Sequence, residues 1–431
     1  MSVPLPLISY ISVILSRLSY FDNDNFLTKY NSIFNIPELK IQLENIKKSN
    51  TANIFNIKFQ KNMSNITKEI NTILVDNTSL NNEKNSNNMK YLCISTSNYS
   101  SVYIVKDTNT QTIFVAFRGT YSLKSAISYL KITSIKPFIT CKNTNNKGVL
   151  LGIFKIVGEI FYTIQESIKY LSDGKEYKII CTGHSLGGAE AQIFSYLYEK
   201  QLLKKSKEKI VCITFGAPRV MNYSLIEDYN ELIKNNYILF RRYITNGDIF
   251  PTLPLTKNRG NSYYYHIEEQ DSNLNNLAFS CVNNKKTNKV KCNYMNKTKK
   301  KSSSIKYHGI YLGISFVGAA QNLTNTKKEV KREKGTNDTI CRINIGGNDE
   351  PHKIVFFNLQ KAKQPDSNII TKIKKIFITD YKHQDIYITT EMFNTLMEKS
   401  TVLDNNNLNV QNYTNLIPIQ TKEKNEELFC F

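Results

Sequence analysis

Tyr177-Lys178-Ile179-Ile180-Cys181-Thr182-Gly183-His184-Ser185-Leu186-Gly187-Gly188-Ala189 decides how the rest of the chain is read. Its first six residues are β-rich and apolar enough for a buried strand. From Gly188 through Ala189, Glu190, Ala191, Gln192, Ile193 and Phe194 the sequence reads as a helix. Between the two sits Gly-x-Ser-x-Gly, the spacing of a serine held at a sharp strand-to-helix turn. At such a turn the hydroxyl is pushed out of the sheet. The flanking glycines let the backbone take strained angles and approach its neighbours closely. The first amides of the helix are then free to stabilise an oxyanion. The bland alternative is a glycine-rich turn with an idle serine.

Outward from this turn, strands and helices alternate. Upstream, Tyr91–Ser95, Val102–Val105 and Thr112–Phe117 read as strands, with Asp107-Thr108-Asn109-Thr110 as a hairpin turn between the last two. From Val149 to Leu171, apolar residues recur at helical spacing through Ile153, Ile156, Val157, Ile160, Phe161, Ile164 and Ile168. Downstream, Ile210–Phe215 and Tyr237–Phe240 add strands. Helices between mostly buried strands predict an α/β sheet. An Asn-rich loop is expected near 76–90, and a basic loop from about Asn283 to Lys306, carrying Lys285, Lys286, Lys289, Lys291, Lys297 and the run Lys299-Lys300-Lys301. No internal repeat is found.

A serine hydroxyl needs a base to become a nucleophile, and the base needs an acid to fix its tautomer. His184 lies in the turn itself and points away from the neighbouring hydroxyl, so His266, His308, His352 and His383 are the candidates. Four ordered blocks sharpen the choice: Phe117-Arg118-Gly119-Thr120; Gly183 to Ala189; Thr214-Phe215-Gly216-Ala217-Pro218-Arg219-Val220 with Asn222; and Asn246-Gly247-Asp248-Ile249-Phe250-Pro251-Thr252-Leu253-Pro254. Together, over Phe117 to about Gly313, they resemble the class 3, or fungal-type, triacylglycerol lipase family of the α/β-hydrolase superfamily.

That resemblance implies an α/β-hydrolase-type central, mostly parallel sheet flanked by helices. It implies Ser185 as nucleophile, Asp248 as the acid and His308, in His308-Gly309-Ile310-Tyr311-Leu312-Gly313, as the base; His266 fits a different family block. It implies an oxyanion hole formed by Leu186 N–H and Thr120, with no metal and no organic cofactor. From the residues alone, His308 follows the acid and begins an apolar, helix-like run. Arg118 is read as bracing the loop rather than touching substrate. Three positions depart from the family pattern. The segment Tyr121–Ile132 could form an amphipathic lid, with Leu123, Ile127 and Leu130 on one face, but lacks the family's anchoring acid. Glu190 replaces an apolar residue, and a carboxylate buried there needs a partner. Met221 replaces glycine.

The 431 residues suffice for one large core and a smaller appendage. We expect a lipase-like domain over 1–325, a charged linker over 326–340 and a small C-terminal α+β module over 341–431. Strand-like runs lie at Lys353–Phe357, Ile376–Thr379 and Asp385–Thr389. The net charge of +21 is either a solvated lysine surface or an attraction to anionic lipid; no zinc-finger, RNP-like or helix-turn-helix pattern supports nucleic-acid binding. The eight cysteines contain no Cys-x-x-Cys pair. They support neither a disulfide framework nor a zinc site, and fit a reducing, cytoplasmic compartment, with secretion as the alternative. Val3–Leu15 is apolar, but no basic residue precedes it and no cleavage pattern follows, which favours a packing helix over a signal peptide. No run is long enough for a membrane span. The expected function is a serine ester hydrolase acting on acylglycerols or related lipids at a membrane or droplet interface. A phospholipase or acyltransferase with the same triad, or a non-catalytic lipid-binding protein, stays open, as does the oligomeric state.

Overall fold

The computed structural model of the chain describes residues 4–59, 63–75, 89–96, 101–120, 135–138, 147–202, 209–254, 264–267, 277–284, 289–295, 304–317, 339–347, 353–359, 401–402 and 417–418. Four helices come first: α1 (Leu7–Leu18), α2 (Asn23–Phe34), α3 (Pro37–Lys48) and α4 (Met63–Val75). Strands β1 (Met89–Thr96), β2 (Ser101–Asp107) and β3 (Thr112–Phe117) follow as an antiparallel meander. A hairpin of β4 (Ile135–Phe138) and β5 (Lys147–Leu150) leads into α5 (Leu151–Ser172). Next come β6 (Lys178–His184), α6 (Leu186–Leu202), β7 (Ile210–Phe215), α7 (Tyr223–Lys234) and β8 (Ile238–Thr245). The hairpin β9 (Ala278–Asn284) and β10 (Lys289–Tyr294) precedes the short pair β11 (Ile310–Tyr311) and β12 (Ile314–Ser315). The last described strands are β13 (Thr339–Gly347), β14 (Lys353–Leu359), β15 (Thr401–Val402) and β16 (Ile417–Pro418).

One sheet runs in the order β10-β9-β8-β7-β6-β3-β2-β1-β13-β14-β15, with β16 paired to β14. Its middle, β3-β6-β7-β8-β9, is parallel, and both flanks are antiparallel. The continuous apolar runs of the central strands follow from burial on both faces. In β3, Ile113, Val115 and Phe117 face the core under α5, α6 and α7, whereas Phe114 and Ala116 face the core shared with α1–α4. In β7, Ile210 and Cys212 take the first side and Val211, Ile213 and Phe215 the second.

Helix α5 has the expected span, and all seven of the apolar residues at helical spacing are buried. It stops at Asp173, whose left-handed φ of 49° closes the helix end. Helix α1 is buried on every side. Its Ser9, Ser12 and Ser16 form a small polar stripe toward the sheet: Tyr243 donates to Ser9 Oγ (2.8 Å), Thr182 Oγ1 donates to the Ser12 carbonyl (3.3 Å), and Ser16 and Thr182 hydroxyls pair at 2.9 Å. Small residues let the helix lie close to the strands, and the Ser9 and Ser16 hydroxyls find partners there, whereas Ser12 Oγ is buried with none among the described residues.

Several expectations are corrected. The basic stretch expected as loop is partly β-structure, because Val290, Cys292 and Tyr294 alternate with Lys289, Lys291 and Asn293 and pair with β9. The cysteines do form a bridge: the β9–β10 register sets Cys281 opposite Cys292, and the two are disulfide-bonded. Cys93, Cys181 and Cys212 are buried free thiols. His308 begins no helix; it ends a single 3₁₀ turn (Ile305–Gly309), because Leu312 (φ 48°) and Gly313 (φ 85°) turn the chain back as a tight β-pair. At the C-terminal side, β13 pairs with β1, so the described strands there continue the central sheet. The Tyr121–Ile132 segment, the 326–338 stretch, the runs Ile376–Thr379 and Asp385–Thr389 and most of the lysine cluster lie outside the described residues. Among the described residues no helix is long and apolar enough to cross a membrane.

Candidate active site

Ser185 stands between the last residue of β6 and the first of α6, with a left-handed φ of 58°. For a non-glycine residue that conformation costs energy, and it persists because neighbours over-determine it. The Ser185 amide donates to the Phe215 carbonyl at 2.9 Å, and the Gly188 amide donates to the Ser185 carbonyl at 3.0 Å. The glycines are required by close approach. A Cβ on Gly183 would lie 2.2 Å from the Gly187 carbonyl oxygen, and one on Gly187 would lie 2.3 Å from the Phe117 carbonyl oxygen. The end of β3 therefore rests directly on the elbow. This contact brings Arg118-Gly119-Thr120 to the start of α6. Leu186 is the first residue of that helix, so its N–H has no intrahelical acceptor.

Asp248 follows β8 in a turn where Gly247 takes φ 90°. Three donors converge on its carboxylate. The Phe250 amide reaches Oδ1 at 2.9 Å, His308 Nδ1 reaches Oδ2 at 2.7 Å, and the Tyr311 hydroxyl also donates to Oδ2. Burial and the nearby Asp248 charge push the Tyr311 phenol up, so it stays a donor. The ring of His308 stacks on Phe250 at 4.0 Å and lies 4.5 Å from the ring of His184, the neighbour of Ser185. Its remaining nitrogen, Nε2, is buried and has no hydrogen-bond partner among the described residues. A base held through Nδ1 by a carboxylate, with Nε2 open, can accept a proton only through Nε2.

The histidine alternatives separate by contact. His266 is buried and spends Nε2 on the Pro251 carbonyl (2.5 Å), bracing the loop that carries Asp248. His352 and His383 lie outside the described residues. Ser185, Asp248, His308 and Leu186 are all buried, and Thr120 is half-buried. Glu190 is 1% exposed on the first turn of α6, and Met221 is buried where it bridges Val149 and Tyr265. Among the described residues no group of His, Cys, Asp and Glu is placed to hold a metal ion.

Residues 114–258 match the protein family described as Lipase (class 3). This stretch of the chain is similar to the class 3 lipases. A lipase of Rhizopus oryzae is 32% identical over 155 residues, 35% of this chain and 37% of its own length. A Caenorhabditis elegans lipase is 31% identical over 152 residues, 35% of this chain and 40% of its own. The matches thus span well under half of those relatives. A solved Rhizomucor miehei triacylglyceride lipase aligns with a TM-score of 0.39 at 18% identity, covering 52% of this chain and 79% of that one. Ser185 and Asp248 fall inside the matched stretch; His308 falls beyond it and is brought to Asp248 by the fold.

The residues that sequence reasoning did not assign are those that hold the others. Tyr311 sits three residues after His308, a spacing visible in the sequence, whereas its bond to Asp248 is not. Phe250 and Phe316 sandwich the two imidazoles, Phe316 at 4.0 Å from the His184 ring. Tyr20, whose hydroxyl lies 2.9 Å from His184 Nδ1, is 164 positions away, and no local pattern marks it.

Proposed function

We propose that the chain is a serine carboxylic-ester hydrolase acting on acylglycerols or related lipids. The observation that carries this reading is the His308–Asp248 pair at 2.7 Å, its imidazole 4.5 Å from the ring of His184, the residue just before a serine held at φ 58° on a strand-to-helix elbow. In this reading Ser185 Oγ attacks the ester carbonyl while His308 Nε2 takes its proton. The developing oxyanion is held by the Leu186 N–H and by Thr120. His308 then gives its proton to the leaving alcohol, an acyl-serine forms, and water repeats the sequence to release the acid. Asp248 keeps the imidazole in the tautomer that leaves Nε2 free, and Tyr311 keeps Asp248 aimed.

A lipid interface is the expected place of action. Tyr307 and Val317 are exposed on either side of buried His308, Lys306 is exposed beside them, and Lys291 is exposed on the β10 strand. Aromatic and aliphatic groups with lysines at one edge suit an anionic lipid surface. The Cys281–Cys292 bridge favours the secreted alternative over a reducing compartment.

The test compares hydrolysis of emulsified triacylglycerol by wild type, Ser185→Ala and His308→Ala, with labelling by a fluorophosphonate probe. Each variant should lose activity about 10³-fold or more, and Ser185→Ala should not label. An unlabelled, inactive wild type would instead favour a lipid-binding protein without turnover. Product analysis on mixed lipids distinguishes triacylglycerol lipase from phospholipase or acyltransferase. Replacing the lysines of 285–301 with serine should weaken binding to anionic vesicles.

A further inference from the structure

We propose that Tyr20, at the end of the N-terminal helix, is a positioning residue that locks the three separate pieces of the active site to one another through His184. The inference rests on the hydrolase reading above and assigns a role that none of the four sequence blocks contains.

The argument begins at the far end of a chain of hydrogen bonds, where the direction is fixed. His184 Nε2 lies 3.1 Å from the backbone carbonyl of His308. A carbonyl oxygen can only accept, so Nε2 carries the proton. The ring is buried, and burial together with the neighbouring His308 holds it well below its ordinary value, so it is a neutral imidazole with a single N–H. Nδ1 is then an acceptor. The Tyr20 hydroxyl, 2.9 Å away, must donate to it. With its proton committed, the Tyr20 oxygen is left with lone pairs, and the Gly119 backbone hydrogen-bonds to it. The direction is set throughout: Gly119 to Tyr20, Tyr20 to His184, His184 to the carbonyl of the base.

Each link touches a different part of the site. Gly119 precedes Thr120 in the oxyanion loop, His184 precedes Ser185 in the elbow, and the accepting carbonyl belongs to His308 itself. The packing leaves little room for another arrangement. A Cβ at Gly119 would lie 2.0 Å from the Tyr20 oxygen and 2.6 Å from the His184 carbonyl oxygen. The His184 ring is stacked between Phe316 at 4.0 Å and His308 at 4.5 Å, so it cannot turn to find another partner. Tyr20 is in turn fixed by its own backbone bond to the Arg17 carbonyl (3.2 Å) and by edge contact with Phe316 at 6.0 Å. Loss of the hydroxyl would free one proton acceptor on His184 and one donor on Gly119 at once, in a buried place where neither has water.

The test uses Tyr20→Phe in the full chain, beside Tyr103→Phe as a control. Tyr103 is also buried and its hydroxyl donates to the Phe21 carbonyl (3.0 Å), but it sits on β2, which β3 separates from the β6 strand that ends at the elbow. We expect Tyr20→Phe to lower kcat and the rate of fluorophosphonate labelling by about 10- to 100-fold with KM within about twofold, the range of a lost preorganising hydrogen bond. Tyr103→Phe should lower the thermal midpoint while leaving kcat at the wild-type value. Nitrogen-15 NMR of the wild-type imidazoles should place the His184 proton on Nε2, and Tyr20→Phe should mix the two tautomers. Wild-type kcat and labelling in Tyr20→Phe would overturn the proposal. So would a proton on His184 Nδ1 in the wild type, a measurement that decides even where the variant does not fold. An inert wild type would instead remove the hydrolase reading and leave the tautomer measurement to judge the bracket.

Discussion

At the residue scale, the site depends on side chains kept in one protonation state by burial. His184 is held below its ordinary 6.5 when folded, so below about pH 6.5 the unfolded chain binds a proton that the folded one refuses. Its contribution to stability is present above that pH and drains as the pH falls, by up to about 1.4 kcal/mol per pH unit. Glu199 on α6 has the opposite sign. Burial raises its carboxyl to about 7, and neither oxygen has a hydrogen-bond partner among the described residues. Between pH 4.5 and 7 the folded state is the one that holds the proton, so its contribution is lost as the pH rises. Glu199→Gln should therefore raise the thermal midpoint at pH 8 and leave it nearly unchanged at pH 5. In that background the midpoint should fall more steeply from pH 7 to pH 5, with His184 exposed as the acid-sensitive group. Asp248→Asn should lower kcat by about 10³- to 10⁴-fold while the fold persists, because an amide cannot hold His308 in the same tautomer.

At the element scale, two contacts carry the geometry. The end of β3 lies on the elbow only because Gly187 has no side chain, with its would-be Cβ 2.3 Å from backbone. Gly187→Ala should push α6 from β3, destabilise the protein by about 3 kcal/mol and abolish hydrolysis, read by chemical denaturation and by ester turnover. The β9–β10 hairpin is closed by Cys281–Cys292, eleven positions apart. Replacing both cysteines with serine should lower stability by about 3 kcal/mol on the loop-entropy account. It should also loosen the connection that runs on to Ser304, whose amide donates to the Gly247 carbonyl at 2.8 Å beside Asp248. Helix periodicity made α5 readable, and the alternation in β9–β10 was present but hidden among lysines and asparagines that resemble a loop.

At the scale of the whole molecule, the sheet joins parts of the chain that are remote in sequence. Strand β1 is covered by β13, and the register from Lys90–Gly347 to Thr96–Cys341 leaves no gap. A chain ending at residue 338 should leave β1 with an open row of backbone donors and acceptors and should associate with rising concentration, measured by size-exclusion chromatography. The other face is sealed by α1, whose burial on every side makes it part of the core.

The sequence by itself marked the strand-to-helix elbow at Ser185 and the alternation of helices with buried strands, because each is written in a short run of fixed spacing, while the parallel centre of the sheet and the choice of Asp248 and Leu186 came from the resemblance of four ordered blocks to a known family. The same resemblance singled out His308 among four histidines, through the run from His308 to Gly313. Only the tertiary structure decided what surrounds them: Tyr20 against His184, Tyr311 against Asp248, Cys281 against Cys292 and β13 against β1. Those pairings depend on distance through space between segments far apart along the chain, and a local run of residues carries no record of what will be folded against it.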